Sequence, residues 1–246
     1  MNEIQGRIAL VTGGSRGIGA ASVRALAAHG ADVAFTYRSD VDAAAGVVEQ
    51  VKALGRRALA IRADAVDTDA VVAAVDETVA TFGRLDILLN NAAVFRLGPI
   101  EELGAAELNE TLTANVSAPY LASRAAAGHM VDGGRIITIG SNVAGRTTFP
   151  GFTLYTLSKS AVVGMTKGLA RELGPRGITV NVIQPGPTDT DLNPADGPNA
   201  EGVRGLTALG RFASPDEIAR TVVYLAGPGG DYITGTAVEV DGGFNI

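Results

Sequence analysis

Leu10-Val11-Thr12-Gly13-Gly14-Ser15-Arg16-Gly17-Ile18-Gly19 opens with part of the apolar run Ile8–Val11 and is followed by an alanine-rich segment reaching His29, with Gly30 behind it. Uninterrupted apolar residues read as a buried strand and the alanine-rich periodicity as a helix, and Gly30 stands where helix C-termini prefer glycine. The order is strand, glycine turn, helix. Gly13, Gly17 and Gly19 let the backbone turn tightly and bring its N–H groups, with the positive end of the helix dipole, against a phosphate. A dinucleotide pyrophosphate fits such a cradle, with Gly13, Ser15, Arg16, Gly17, Ile18 and Gly19 as its contacts. The spacing is T-G-x-x-x-G-x-G rather than G-x-G-x-x-G, so the common fingerprint is matched in its physics only.

Outward from this turn the alternation repeats. Asp32–Tyr37, Ala58–Arg62, Leu85–Leu89, Arg135–Ile139, Ile178–Ile183 and Ala237–Val240 read as further strands. Val41–Leu54, Thr68–Phe82, Ala105–Ala127 and Leu154–Leu173 read as helices between them, and Ser214-Pro215-Asp216-Glu217 carries a capping box that starts another, ending at Ala226. Strands alternating with helices imply parallel pairing through right-handed crossovers. The expected fold is therefore a single-domain α/β, Rossmann-type doubly wound parallel sheet of about seven strands with helices on both faces, spanning 1–246. Between Pro185 and Gly210 the pattern dissolves into Pro, Gly, Asp and Asn, which predicts a substrate lid over about 187–210.

Composition narrows the function. With 246 residues, 46% hydrophobic and 19% charged, the chain suits one large domain. Twenty Lys and Arg against 26 Asp and Glu give a net charge of −6, so no general attraction to nucleic acid or anionic membrane is expected. The lack of cysteine removes disulfides and thiol chemistry, His29 and His129 lie far apart, and no metal site is expected. No leader and no spanning apolar run is read, so a cytoplasmic setting is expected.

At the end of the second strand, where NAD-binding folds place an acidic residue, stand Tyr37, Arg38 and Ser39. Arg38, with Arg16, complements a 2′-phosphate, so NADP(H) is expected over NAD(H). Tyr155 and Lys159 lie four apart at the start of a helix and share a face. A tyrosine needs a nearby positive charge to shuttle protons at neutral pH. Lowering its pKa by about three units takes roughly 4 kcal/mol.

Taken together, Thr12 to Gly19, Asp64, Asn90 to Ala93, Asn115, Ser141, Tyr155 with Lys159, Pro185-Gly186 with Thr190, Tyr232 to Gly235 and Asp241 to Gly243 resemble the short-chain dehydrogenase/reductase family over essentially the whole chain. The resemblance implies a catalytic set of Asn115, Ser141, Tyr155 and Lys159. Tyr155 donates a proton to the carbonyl oxygen during reduction, Ser141 hydrogen-bonds that oxygen, and Lys159 holds the nicotinamide ribose and lowers the tyrosine pKa. Asn115 anchors a relay water. It also implies cofactor contacts from Asp64 and Ala65 on the adenine side, from Asn91 to the adenosine-side ribose region, from Ala92 and Ala93, and from Pro185, Gly186, Thr188 and Thr190 toward the nicotinamide amide. Ala93 stands where the family usually has glycine.

Within the family, Gly134 to Ser141 and the last third resemble 3-oxoacyl-carrier-protein reductases. The segment Ala125–Gly133, where those enzymes carry basic residues for an acidic carrier, has no lysine or arginine here, and Arg176 stands alone nearby. A free carbonyl compound or alcohol is thus the expected substrate, in a mostly apolar pocket of Val94, Phe95, Val143, Phe149, Phe152 and Leu192, with Arg96 and Arg146 as candidates for an acidic group. The lid resembles bacterial cyclic-dinucleotide-binding regulators of biofilm dispersal, which keeps a cofactor-loaded sensor as an alternative. Small residues on the two long helices, with the family resemblance, predict a homotetramer or a dimer.

Overall fold

The computed structural model describes residues 3–246, which form one seven-stranded parallel sheet. The strands are β1 (Ile8–Val11), β2 (Asp32–Tyr37), β3 (Ala58–Arg62), β4 (Ile87–Asn90), β5 (Arg135–Ile139), β6 (Thr179–Pro185) and β7 (Ala237–Val240). Their spatial order is β3-β2-β1-β4-β5-β6-β7. The order reverses between β1 and β4, and the crevice beyond the carboxyl ends of strands at such a switch point is where ligands bind in open α/β sheets.

Helices cover both faces. On one side α1 (Gly17–Ala28), α2 (Val41–Ala53) and α8 (Pro215–Ala226) pack over Val11, Val33, Phe35 and Leu89. On the other, α3 (Thr68–Phe82), α5 (Ala118–His129) and α6 (Thr153–Leu173) pack over Leu10, Leu88, Ile136 and Val180. Strands buried on both faces have no need to alternate, which is why β1 reads as a continuous apolar run and β4 as one up to Asn90. Side-chain caps fix where helices begin. Asp40 accepts from the Ala43 N–H at 2.9 Å and Asp67 from that of Ala70 at 3.0 Å. Ser214 and Glu217 close the expected capping box, with Glu217 accepting from the Ser214 N–H at 2.8 Å. Such caps contribute about 1 kcal/mol each.

Two expectations need correction. The stretch Ala105–Ala127 is not one helix: α4 (Ala105–Leu112) gives way to a π turn over Thr113–Ser117 before α5 begins. Alanine-rich periodicity continues through the turn, so the pattern carries no sign of the extra residue. The segment expected as a lid is not structureless either: α7 (Ala200–Arg204) lies within it, and Asp189 closes a turn inside it by accepting from the Ala195 N–H at 2.9 Å.

Candidate active site

One cleft runs along the carboxyl edge of the sheet, from the end of β2 across the glycine turn to the start of α6. Gly13 and Gly17 hold φ of 67° and 53°, in the left-handed region open to glycine, so their identity follows from backbone geometry. Gly19 answers a different demand: a Cβ there would collide with the Gly13 carbonyl and the Asn91 amide. Thr12 stitches the turn to β4, its hydroxyl accepting from the N–H groups of Asn91 and Ala92 at 2.9 and 3.0 Å. Asn91 donates both amide hydrogens, to the carbonyls of Thr12 and Gly13 at 2.9 Å each. Those donors therefore build the cradle and are not free for a ribose.

The cleft is lined by the expected Gly13, Ser15, Arg16, Gly17, Ile18, Gly19, Tyr37, Arg38, Asp64, Ala65, Asn91, Ala92 and Ala93, and by Pro185, Gly186, Thr188 and Thr190 farther along. Ser39 is the exception: it is exposed and lies beyond the lining residues, because the chain turns there into the Asp40 cap of α2. Arg16 and Arg38 are exposed, and among the described residues neither pairs with a carboxylate. Two unpaired guanidiniums flanking a row of backbone N–H groups suit a polyanion.

At the other end, Ser141 follows β5 and Tyr155 and Lys159 stand on successive turns of α6, all three lining the cleft. Lys159 is 4% exposed and donates to the Ile139 carbonyl at 2.9 Å, with its Nζ 5.7 Å from the Tyr155 ring centre. Burial pulls Lys159 down to about 8. Burial also pushes the Tyr155 phenol up to about 12, against a hydrogen bond from Ser141 that acts in the opposite direction. The expected lowering of the tyrosine pKa is thus not supplied by Lys159 alone. Desolvation disfavours both charged forms, and this outweighs an ammonium already committed to a carbonyl.

Asn115 does not line the cleft. It sits in the π turn, buried, and accepts from the Val94 N–H at 2.8 Å while donating to the Val94 carbonyl at 3.0 Å and to the Ser158 hydroxyl at 3.1 Å. It clamps the wall beside Tyr155 from behind. Residues that the sequence reading did not single out brace Ser141. Gln184 donates to the Ser141 carbonyl at 2.8 Å and to Glu239 at 3.2 Å, across the β6–β7 register that pairs those two positions. Asn245 donates to the Asn142 carbonyl at 2.9 Å. Burial and the neighbouring Asp241 push the Glu239 carboxyl up, while its hydrogen bond from Asn245 pulls the other way. The only sequence signal for this brace was polarity inside two otherwise apolar strands.

The expected pocket residues Val94, Phe95, Val143, Phe149, Phe152 and Leu192 all line this end, joined by Val203 and Phe244. Arg96, paired with Glu110 at 2.8 Å, and Arg146, donating to the Phe244 carbonyl at 3.2 Å, both lie outside the lining of the cleft.

A family model described as enoyl-(acyl carrier protein) reductase matches residues 13–245. The chain is 44% identical over 244 residues to the cyclic-di-GMP-binding biofilm dispersal mediator protein of Escherichia coli K12, covering 99% of each. It is 37% identical to a 3-oxoacyl-[acyl-carrier-protein] reductase of Synechocystis, covering 99% of this chain and 98% of that protein. Among solved structures, a short-chain dehydrogenase from Burkholderia cenocepacia J2315 in complex with NADP superposes with a TM-score of 0.98 at 51% identity, covering all of both chains. With a parallel sheet whose strand order reverses between β1 and β4, a glycine cradle at that switch point and tyrosine, lysine and serine gathered at the far end of the cleft, the chain belongs to the short-chain dehydrogenase/reductase family.

Proposed function

We propose that the protein is an NADP(H)-dependent oxidoreductase that reversibly reduces a ketone or aldehyde carbonyl to an alcohol. The observation carrying this reading is the single cleft that holds unpaired Arg16 and Arg38 at one end and Ser141, Tyr155 and Lys159 at the other. The NADP complex of the Burkholderia relative supports the choice of cofactor. The polar end of the cradle fits it as well: Arg16 and Arg38 line it, while Asp40, the first carboxylate after β2, lies outside the lining and caps α2.

NADPH, when bound, supplies the hydride. The chain's own groups do the rest. Tyr155 holds its proton on the phenol at neutral pH, as burial dictates, and is thus ready as the acid in the reduction direction. Ser141 offers a hydroxyl to the same carbonyl oxygen, positioned by the Gln184 brace on its backbone. Lys159 places a buried cation behind the phenol, favouring the phenolate that forms as the proton leaves. Asn115 fixes the Val94 wall rather than touching substrate. The test is NADPH oxidation over a panel of aldehydes, ketones and 3-oxoesters, with Tyr155→Phe as control.

A cofactor-loaded regulator is a second reading, favoured by the likeness to the Escherichia coli cyclic-di-GMP-binding protein. A wild type no faster than Tyr155→Phe on every carbonyl, together with calorimetric binding of a cyclic dinucleotide, would select it. A carrier-protein substrate is less favoured, because Arg176 spends its guanidinium on the carbonyls of Ala127 and Met130. The proposed setting is a cytoplasmic homotetramer or dimer. Exposed Leu108, Tyr120 and Leu157 on α4, α5 and α6 support association, and the hydrodynamic size in solution decides it. None of the described helices is long and apolar enough to cross a membrane.

A further inference from the structure

Four of the seven phenylalanines, Phe95, Phe149, Phe152 and Phe244, line the cleft. Three of them form one wall that starts at the proton donor. Phe95 meets the Tyr155 ring edge to face, at 4.7 Å between centres and 86° between planes. Phe152 lies 6.1 Å from Phe95 and 6.0 Å from Phe149. Phe95 and Phe149 are still 40% and 39% exposed, although large aromatic side chains are strongly driven from water. An aliphatic wall would serve any apolar substrate equally. A continuous run of rings adds quadrupole contacts that an aromatic guest alone returns.

The charges at this end exclude another class. Of the cations lining the cleft, Arg16 and Arg38 belong to the cradle and Lys159 is held by the Ile139 carbonyl. Arg96 and Arg146 do not line the cleft, and Arg96 is already paired with Glu110. The lid contributes the carboxylate of Asp191. An anionic substrate would leave water for an apolar wall with no free cation and one like charge.

Resting on the reductase reading above, we infer that the carbonyl compound is an aryl ketone or aryl aldehyde without an anionic group, its ring against Phe95, Phe149 and Phe152 and its oxygen at Ser141 and Tyr155. The carbonyl carbon gains a hydride from NADPH and its oxygen gains the Tyr155 proton. The products are a benzylic-type alcohol and NADP+, and the phenolate recovers a proton from water.

The test is kcat/KM with NADPH for acetophenone, butanone and the para-carboxylate of acetophenone, in wild type and in Phe95→Leu and Phe152→Leu, with NADPH affinity measured alongside to verify a folded cradle. In wild type, acetophenone exceeds both other ketones by about tenfold or more. In each leucine variant, which keeps apolar bulk but loses a ring, the aryl-over-alkyl ratio falls by roughly 2- to 12-fold, the worth of one aromatic pair, chiefly through KM. Butanone or the carboxylate matching acetophenone in wild type, or ratios unmoved in both variants, overturns the aryl assignment while leaving the reductase standing. Reduction of no carbonyl beyond the Tyr155→Phe rate overturns both.

Discussion

Replacing Lys159 by methionine is expected to abolish turnover and yet raise the stability of the ligand-free protein. The side chain is 4% exposed, and burial pulls its pKa from 10.5 to about 8. At about 1.36 kcal/mol per pH unit, this difference of about 2.5 opposes folding by about 3 kcal/mol at neutral pH. The unfolded chain holds the lysine proton up to pH 10.5 and the folded chain only to about 8. Between those values the unfolded state binds more protons, so stability rises with pH across the window, and the penalty is complete below it and absent above it. Methionine keeps an unbranched stem of similar length and carries no charge. Its cost is the hydrogen bond to the Ile139 carbonyl, about 1 kcal/mol. The net gain of about 2 kcal/mol raises Tm by roughly 4–8 °C at pH 7. Calorimetry of both proteins at pH 7 and again near the upper end of the window reads this directly: the gain shrinks at high pH. A variant Tm at or below that of wild type at pH 7 would refute the claim that burial, rather than hydrogen bonding, dominates at this lysine.

Four further outcomes follow from the same geometry. Arg38→Asp removes one charge-assisted contact to a 2′-phosphate and substitutes a repulsion, so NADPH affinity falls by roughly 50-fold while NADH affinity holds or improves; fluorescence titration of both cofactors decides it, and an unchanged ratio counts against the arginine assignment. Gly19→Ala drives a methyl into the Gly13 carbonyl and opens the cradle, so NADPH binding drops about 100-fold or more in the same titration. Asn115→Leu strands the Val94 amide and carbonyl inside the wall, costing about 2–3 kcal/mol and roughly 4–12 °C in Tm by calorimetry. Gln184→Ala frees the Ser141 turn and lowers kcat about tenfold with the KM for NADPH unmoved, separated by steady-state kinetics.

Strands and outer helices were legible because each follows a local rule: β1, β4 and β5 are buried on both faces, and α2, α3 and α8 begin at side chains that cap them. The glycine cradle was legible because Gly13 and Gly17 encode backbone angles directly. What escaped is non-local. Asn91 was expected at a ribose, but its donors face the Thr12 and Gly13 carbonyls, a partnership between β1 and β4 that spacing along the chain does not express. The desolvation that raises the Tyr155 phenol escaped for a related reason, since burial depends on everything packed around the residue and pairing depends on one neighbour. The Gln184–Glu239 brace rests on register across β6 and β7 and has no signature along either strand alone.

The π turn at Thr113–Ser117 constrains chain length as well as shape. The turn holds one residue more than regular winding needs, so deleting one residue there would restore an α-helix and leave the azimuth of everything downstream nearly unchanged. Ala118, Ala122 and Ala126 would keep facing the sheet from α5, while Asn115, inside the turn, would leave Val94. A more regular helix would thus be a worse one. A single-residue deletion in this segment should therefore leave the fold standing and loosen the wall at Val94, so the extra residue serves the cleft rather than the helix that carries it.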